Sequence, residues 1–488
     1  MNTYKLSEIP KGVDCDEAGM GYDAYCIANY GVDRYLNKFP IYFTNFGDGQ
    51  SLLYAYLAAL SIKVLGFSTF SIRIPALLLS VLEVVIAYFL VKEFKGKKMG
   101  LLFMLLVTIS PWHIMKSRWG LDAFLLSPLL TFSMYALLKA VNSQSKRKLK
   151  FLIAGLLFGL TLYTYAISYV IVPIFLLITG IYLVRRKKLK MIDILIFIIP
   201  LAILAIPLIL MLMVQKGWIN EIHSFITIQK LQKYRESDIK ISNILENIKS
   251  IRCAFLVDKL PFNSIEGFGN FYYFGTPLIV IGFFIAIYKS VFNRKSKNIE
   301  LDTIMLFMFL ANLVWGFLIE VNTNRLNGLL ISATYFILIT LQEIYKFRKE
   351  IFGIIGITYL IAFIMFNYTY FNEFKNCDIK LFAPDFIELV KYLDKFESKD
   401  IYINTKTHEA WIYELYAEQE NPYEVHSQYR YFTDGKVFEY GKYHNNNILT
   451  KYDDNAIYVF SDSSREKELL DMGFKKEMFK NKFAIMYK

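Results

Sequence analysis

The chain has 488 residues, 55% hydrophobic, 17% aromatic and only 20% charged, with a mean hydropathy of +0.34. That is too apolar and too long for one soluble domain and marks an integral membrane protein. The formal net charge of +12 does not point to nucleic acid, because Lys and Arg fall in short clusters between apolar runs instead of along one amphipathic face, as membrane topology requires.

Residues 1–69 are polar compared with the long apolar runs of the next three hundred residues. Asp16 and Glu17 stand side by side near the start, and a carboxylate at the mouth of a membrane bundle is costly unless water, substrate or a partner solvates it. The apolar stretch Leu52–Leu65 is too short and too polar at its edges to span, which suits an interfacial helix. About ten segments then approach the roughly 20 residues that cross a bilayer, at 70–91, 99–114, 121–140, 151–165, 167–184, 191–214, 275–291, 302–321, 326–345 and 351–371.

Every second loop between them is basic. Lys92, Lys95, Lys97 and Lys98 follow the first span, Lys146, Arg147, Lys148 and Lys150 the third, and Arg185, Arg186, Lys187, Lys188 and Lys190 the fifth. Arg294, Lys295 and Lys297 follow the seventh, and Lys346, Arg348 and Lys349 the ninth. The positive-inside rule makes these loops cytoplasmic. The other side then carries residues 1–69, the 112–120 and 163–168 turns, the long 215–274 segment, the 322–325 turn and the tail. A loop as long as 215–274 inside a compact unit is usually functional.

The chain thus divides into three units: a first extracytoplasmic loop at 1–69, a transmembrane bundle at 70–371 and an extracytoplasmic α/β domain at 372–488. In the last, a helical pattern over 385–396 precedes strand-like runs at 401–404, 456–461 and 483–487. His408, Glu409 and His426 lie there at no metal-ligand spacing and read as surface residues. Cys15, Cys26, Cys253 and Cys377 all fall on the outer side, where disulfides are permitted but not required; free, buried thiols are the expectation.

The outer side also gathers polar groups from distant parts of the chain: Asp16 and Glu17; His113, Lys116, Arg118 and Asp122; and Asn322, Asn324, Arg325 and Asn327. Carboxylates beside arginines at helix ends suit a phosphate-bearing, membrane-bound substrate, since guanidinium groups hold phosphate oxygens in bidentate pairs.

The stretch 9–25, continuing through Gly31-Val-Asp33, Pro40-Ile-Tyr42 and 66–75, resembles the first-loop signature of bacterial GT-C glycosyltransferases. These are the relatives of the protein O-mannosyltransferases and of the lipid A aminoarabinose transferase, enzymes that take sugar from a polyprenyl-phosphate carrier. The 110–118 and 324–325 turns resemble that family's later outer loops, and the likeness runs over about 9–330. It implies a GT-C helical bundle of about ten transmembrane helices in a bacterial-type cytoplasmic membrane, with a small C-terminal extracytoplasmic α/β domain. The chain departs from the family in lacking a helix ahead of the acidic motif, so a truncated first span is expected, and its last outer turn is Asn-rich.

The resemblance also implies roles. Asp16 is the expected general base, with Glu17 orienting the acceptor or capping a helix. Arg118, Arg325 and Lys116 are expected to bind donor phosphate, against an ordinary interfacial use of such residues. His113 and Asp122 would serve acceptor or a divalent metal ion, their ordinary uses being membrane anchor and helix cap; no other cofactor is implied. The implied reaction is an inverting transfer from a polyprenyl-phosphate-linked sugar to a glycan, lipid or protein acceptor. A transporter or flippase of lipid-linked sugars, or a non-catalytic membrane scaffold, is the rival reading.

Overall fold

The computed structural model describes residues 3–231, 243–292, 299–374, 382–396, 400–428, 430–431, 438–445, 452–461 and 465–488. Cys377 lies outside them; Cys15, Cys26 and Cys253 are free thiols.

Eight helices among the described residues are long and apolar enough to cross a membrane: Thr69–Lys95, Asp122–Asn142, Ser168–Arg185, Met191–Gln215, Gly275–Phe292, Glu300–Leu318, Asn327–Phe347 and Lys349–Glu373. The two other expected spans form shorter helices, Lys97–Ile109 and Arg147–Thr161. The first of these breaks at Ser110, whose extended backbone (φ −69°, ψ 131°) is the conformation that the following Pro111 imposes; the chain then resumes as Pro111–Lys116.

Asp122–Asn142 and Asn327–Phe347 stand at the centre, each 78% buried over its apolar window, whereas Lys349–Glu373 is 11% buried and turns Ile354, Ile357 and Leu360 outward. That outer surface belongs in hydrocarbon. Small residues let backbones approach: a Cβ on Gly155 would lie 2.0 Å from the Phe197 carbonyl oxygen, and one on Gly282 would lie 2.1 Å from that of Phe336.

The two ends of the bundle differ. At one end, where the basic loops lie, ion pairs tie helix to helix: Lys95–Asp302 at 3.0 Å, Arg147–Asp193 at 2.8 Å, Lys188–Glu300 at 2.9 Å and Lys289–Glu343 at 2.7 Å. At the other, the first loop folds into a helix Cys15–Tyr30, a hairpin Phe43–Asn45/Asp48–Gln50 and a helix Leu53–Leu65. The last buries Tyr54, Ala58 and Ile62 and exposes the apolar Leu60 and Val64. Gly31, at φ 72°, ends the first helix in the left-handed conformation that favours glycine. The long loop meets the first at Ile41 N–H to Thr227 O (3.2 Å).

The C-terminal unit is a seven-stranded mixed sheet. Its order is Lys475–Phe479, Phe483–Tyr487, Ile457–Phe460, Ile401–Asn404, Tyr443–His444, Phe438–Tyr440 and Arg430–Tyr431, with Ile401–Asn404 parallel to both neighbours. Helices Phe386–Leu393 and Ala410–Glu418 pack against it and share one apolar cluster with Val13, Ala18 and Tyr22 of the first loop. The Tyr22 hydroxyl donates to Glu420 O (2.9 Å), and Val13 N–H donates to Phe382 O (2.8 Å).

Replacing Gly155 by leucine is expected to lower the melting temperature in detergent, at a cost of about 1–3 kcal/mol for overpacking against an unyielding backbone; an equal substitution at Gly353, where a Cβ meets nothing, should leave it unchanged.

Candidate active site

The acidic motif opens a helix instead of lying in a loop. Asp14 is its N-cap and accepts from Asp16 N–H (3.0 Å), which places Asp16 and Glu17 in the first turn, where the helix dipole favours negative charge.

Neighbouring residues then meet opposite fates. Glu17 is wholly buried in a bidentate pair with Arg73, Nε to Oε1 at 2.8 Å and Nη2 to Oε2 at 2.9 Å, and Glu17 Oε1 also accepts Gly120 N–H at 2.7 Å. Arg73 spends its remaining donors on Leu6 O, Pro10 O and Gly12 O. Of the two uses expected of Glu17, orienting the acceptor or capping a helix, its carboxylate shows neither contact directly: both oxygens are engaged by Arg73, and one by Gly120 N–H as well. Asp16 is half-buried, and its Oδ1 accepts Asn45 Nδ2 at 2.8 Å. Burial and the adjacent Asp16 charge hold the Asp14 carboxyl well above the ordinary carboxylate range. Two neighbouring acids thus differ in environment, the usual basis for dividing roles between them.

Among the described residues, Asp14, Cys15 and Asp16 form a group whose metal-ligating atoms all lie within 4.8 Å of one another. The C-terminal domain stands over this corner. The Glu409 charge acts on Cys15, those of Asp14 and Asp16 act on Tyr413, and Trp411 packs on Phe46 of the hairpin turn at 5.8 Å and on the Arg34 guanidinium at 5.9 Å.

The expected phosphate ligands separate. Arg118 is buried, with Nη2 on Tyr4 O (2.6 Å), Lys5 O (3.1 Å) and Ile9 O (3.1 Å) and its guanidinium over Phe371; these contacts tie the N-terminal segment down. Lys116 is buried as well, giving its ammonium to Asn324 Oδ1 at 3.0 Å, and burial pushes it down to about 7. His113 is buried against Ser80 O (3.2 Å) and Glu83 (3.8 Å) in the bundle. Asp122 accepts Ser51 N–H (3.1 Å) and Ala123 N–H (2.7 Å) at the start of the turn Asp122–Leu125, whose N-cap is Leu121.

Arg325 lies apart from these. It lines a cavity of about 510 Å³ together with Lys216, Tyr42, Tyr165, Tyr169 and Trp315, and its Nη1 donates to Glu320 O at 2.9 Å. Gly49 lines the same cavity. Its strand pairs with that of Asn45, the donor to Asp16, in the register Thr44↔Gly49 and Asn45↔Asp48. A Cβ on Gly49 would fall 1.7 Å from the Tyr42 ring, so glycine keeps this wall open. Lys216 and Trp218 escaped sequence reasoning because the 215–274 loop carries no motif; Tyr165 and Tyr169 read as an aromatic belt.

The assembly is a membrane-embedded, mainly α-helical fold of the GT-C type, with acidic and aromatic elements gathered at one end. Residues 49–220 match the model of the dolichyl-phosphate-mannose-protein mannosyltransferase family. Among solved structures, ArnT from Cupriavidus metallidurans is similar in its apo state (TM-score 0.55, 9% identity) and bound to undecaprenyl phosphate (0.57, 8%), with 99% of this chain and 95% of that chain covered in each. The Archaeoglobus fulgidus oligosaccharyltransferase in complex with Zn and sulfate is also similar (0.51, 13%), over 86% of this chain and 59% of that one. No curated protein matches the chain by sequence.

Breaking the buried pair by Glu17→Ala is expected to cost about 3–5 kcal/mol of stability, while Asp16→Asn melts as the unaltered protein does. For Lys116 the folded value lies below the ordinary 10.5, so its contribution is full above that value and is lost as pH falls through about 7; Lys116→Met should flatten the rise in melting temperature between about pH 7 and about pH 10.

Proposed function

We propose that the protein is a glycosyltransferase that moves a sugar from a polyprenyl-phosphate carrier to an acceptor on the extracytoplasmic face of a bacterial-type cytoplasmic membrane. The observation that carries this reading is the hairpin linking a half-buried aspartate at a helix start to an aromatic cavity bearing Lys216 and Arg325. The relatives are consistent with it: one was solved with undecaprenyl phosphate, and another was tethered to an acceptor peptide.

In this reading the cavity takes the phosphate end of the donor, with Lys216 and Arg325 meeting its charge. Tyr165, Tyr169 and Trp315 supply faces for the sugar and the first isoprene units. An acceptor hydroxyl or amine enters beneath the C-terminal domain and attacks the anomeric carbon while Asp16 takes its proton. The bond from that carbon to the phosphate oxygen breaks with its electron pair, and polyprenyl phosphate departs, its growing charge stabilised by the two cations. Glu17 is engaged by Arg73 and cannot serve as a nucleophile, which favours one in-line displacement with inversion over the two-step route that retention needs. At the Asp14–Cys15–Asp16 corner two carboxyl groups and a thiol converge within 4.8 Å, and a divalent ion there would have to displace the protons that burial holds on Asp14 and Cys15. Such an ion, when bound, would supply positive charge at the reacting corner.

The test is transfer of radiolabelled sugar from polyprenyl-phosphate donors in membranes. Asp16→Asn is expected to lower turnover by roughly 10²–10⁴ with donor binding kept, Arg325→Ala to weaken donor binding, a chelator to depress transfer reversibly, and the product to carry the inverted anomer. Unaltered transfer by Asp16→Asn would remove the assigned base; absence of donor consumption would turn the reading toward a flippase or a scaffold.

A further inference from the structure

The end of the bundle away from Asp16 holds a second cavity that the proposed transfer does not use. It has a volume of about 420 Å³ and runs between the helices Arg147–Thr161, Ser168–Arg185 and Met191–Gln215, lined by Phe151, Val172, Leu183, Phe197 and Leu201 and opening outward past Leu177. At its head it reaches Asp193, which it shares with a polar pocket formed by Lys146, Arg147, Lys148 and Lys190.

Some of the cations at this end are paired and others are not. Lys95, Lys188 and Lys289 each have a carboxylate within 3.0 Å. The pocket's own carboxylate, Asp193, is taken by Arg147 through Nε and Nη2, and Lys146 and Lys148 form no ion pair among the described residues. The pocket also lies where two helices begin, Arg147 at the first residue of one and Lys190 at the N-cap of the other. Arg147 and Lys148 in the first turn of one helix oppose its dipole, which favours anions at that terminus, while Asp193 in the first turn of the other obeys it but is taken up by Arg147. The positive-inside rule accounts for cations anywhere in these loops; what sets this cluster apart is its place at the head of an apolar groove, with which it shares Asp193.

We propose that this pocket and groove bind an anionic phospholipid, its headgroup phosphate held by Lys146, Lys148 and Lys190 at the two helix starts and an acyl chain lying along Phe151, Val172 and Phe197. A free anion has no use for the groove, and a zwitterionic lipid does not discharge the lysines. Basic pockets between membrane helices are suited to such headgroups.

The test titrates phosphatidylglycerol or phosphatidylcholine onto the full chain in detergent and counts bound lipid by native mass spectrometry. Phosphatidylglycerol is expected to be retained in preference to phosphatidylcholine. Lys146→Gln/Lys148→Gln/Lys190→Gln should weaken it roughly a hundredfold, at the attraction expected of three lysines near a membrane surface. Leu177→Trp, at an exposed wall of the groove, should weaken it with every lysine in place. Removing as many charges elsewhere, by Lys97→Gln/Lys98→Gln/Lys349→Gln, should change nothing. Equal binding of both lipids, equal loss in the two charge variants, or displacement by inorganic phosphate as effective as by lipid would each overturn the proposal.

Discussion

The candidate site depends on the ion pair between Glu17 and Arg73. Neither side chain is exposed, so both charges are desolvated, and only a full set of hydrogen bonds offsets that cost. The set is present: the guanidinium grips the carboxylate with two bonds and three backbone carbonyls of residues 6–12 with the rest. One pair therefore locks the first long helix, the helix Cys15–Tyr30 and the N-terminal segment together. Successive helical residues point about 100° apart, so pinning Glu17 inward turns Asp16 toward the hairpin. The pair's contribution to chemistry is an orientation.

The same logic extends to Asp23 and Arg34, a second buried pair at 2.7 Å on the same helix. It holds the far half of that helix to the loop that leads into the hairpin. With two pairs fixing one short helix, the acidic motif rests on a rigid element, which suits a group that must act on one atom of a substrate. The C-terminal domain adds to this by sharing an apolar core with the helix, so the roof over Asp16 and its floor are one packed unit.

Much of the architecture was legible in the chain because its signals are local. Apolar runs and basic loops are read within a window of some 20 residues, and the stretch Leu52–Leu65 stood out as a helix too short to span. The site was legible only in part. Arg118 and Arg325 look alike in sequence, each in a short outer turn, but Arg118 is claimed by carbonyls more than a hundred positions away, at Tyr4, Lys5 and Ile9. Lys116 is claimed by Asn324 across 208 positions. Burial of a charged side chain is decided by such distant partners, which no local window contains. Lys216 failed in the opposite direction, since nothing around it in the chain signals the cavity that its helix and the Trp315 turn enclose.

Asp14, Asp16 and Glu17 together show how one turn of helix divides three acids. Glu17 is compensated by an arginine. Asp14 is buried against its neighbours' charge and is held toward its neutral form, which lets it cap the helix while adding little repulsion. Asp16, half-buried and steadied by Asn45, is left in the place where the helix dipole favours an ionised carboxylate and where the hairpin leads to the cation-lined cavity. The base of the proposed transfer is most useful when ionised and oriented before the substrate arrives, because the cost of arranging it is then met by folding and not by the reaction.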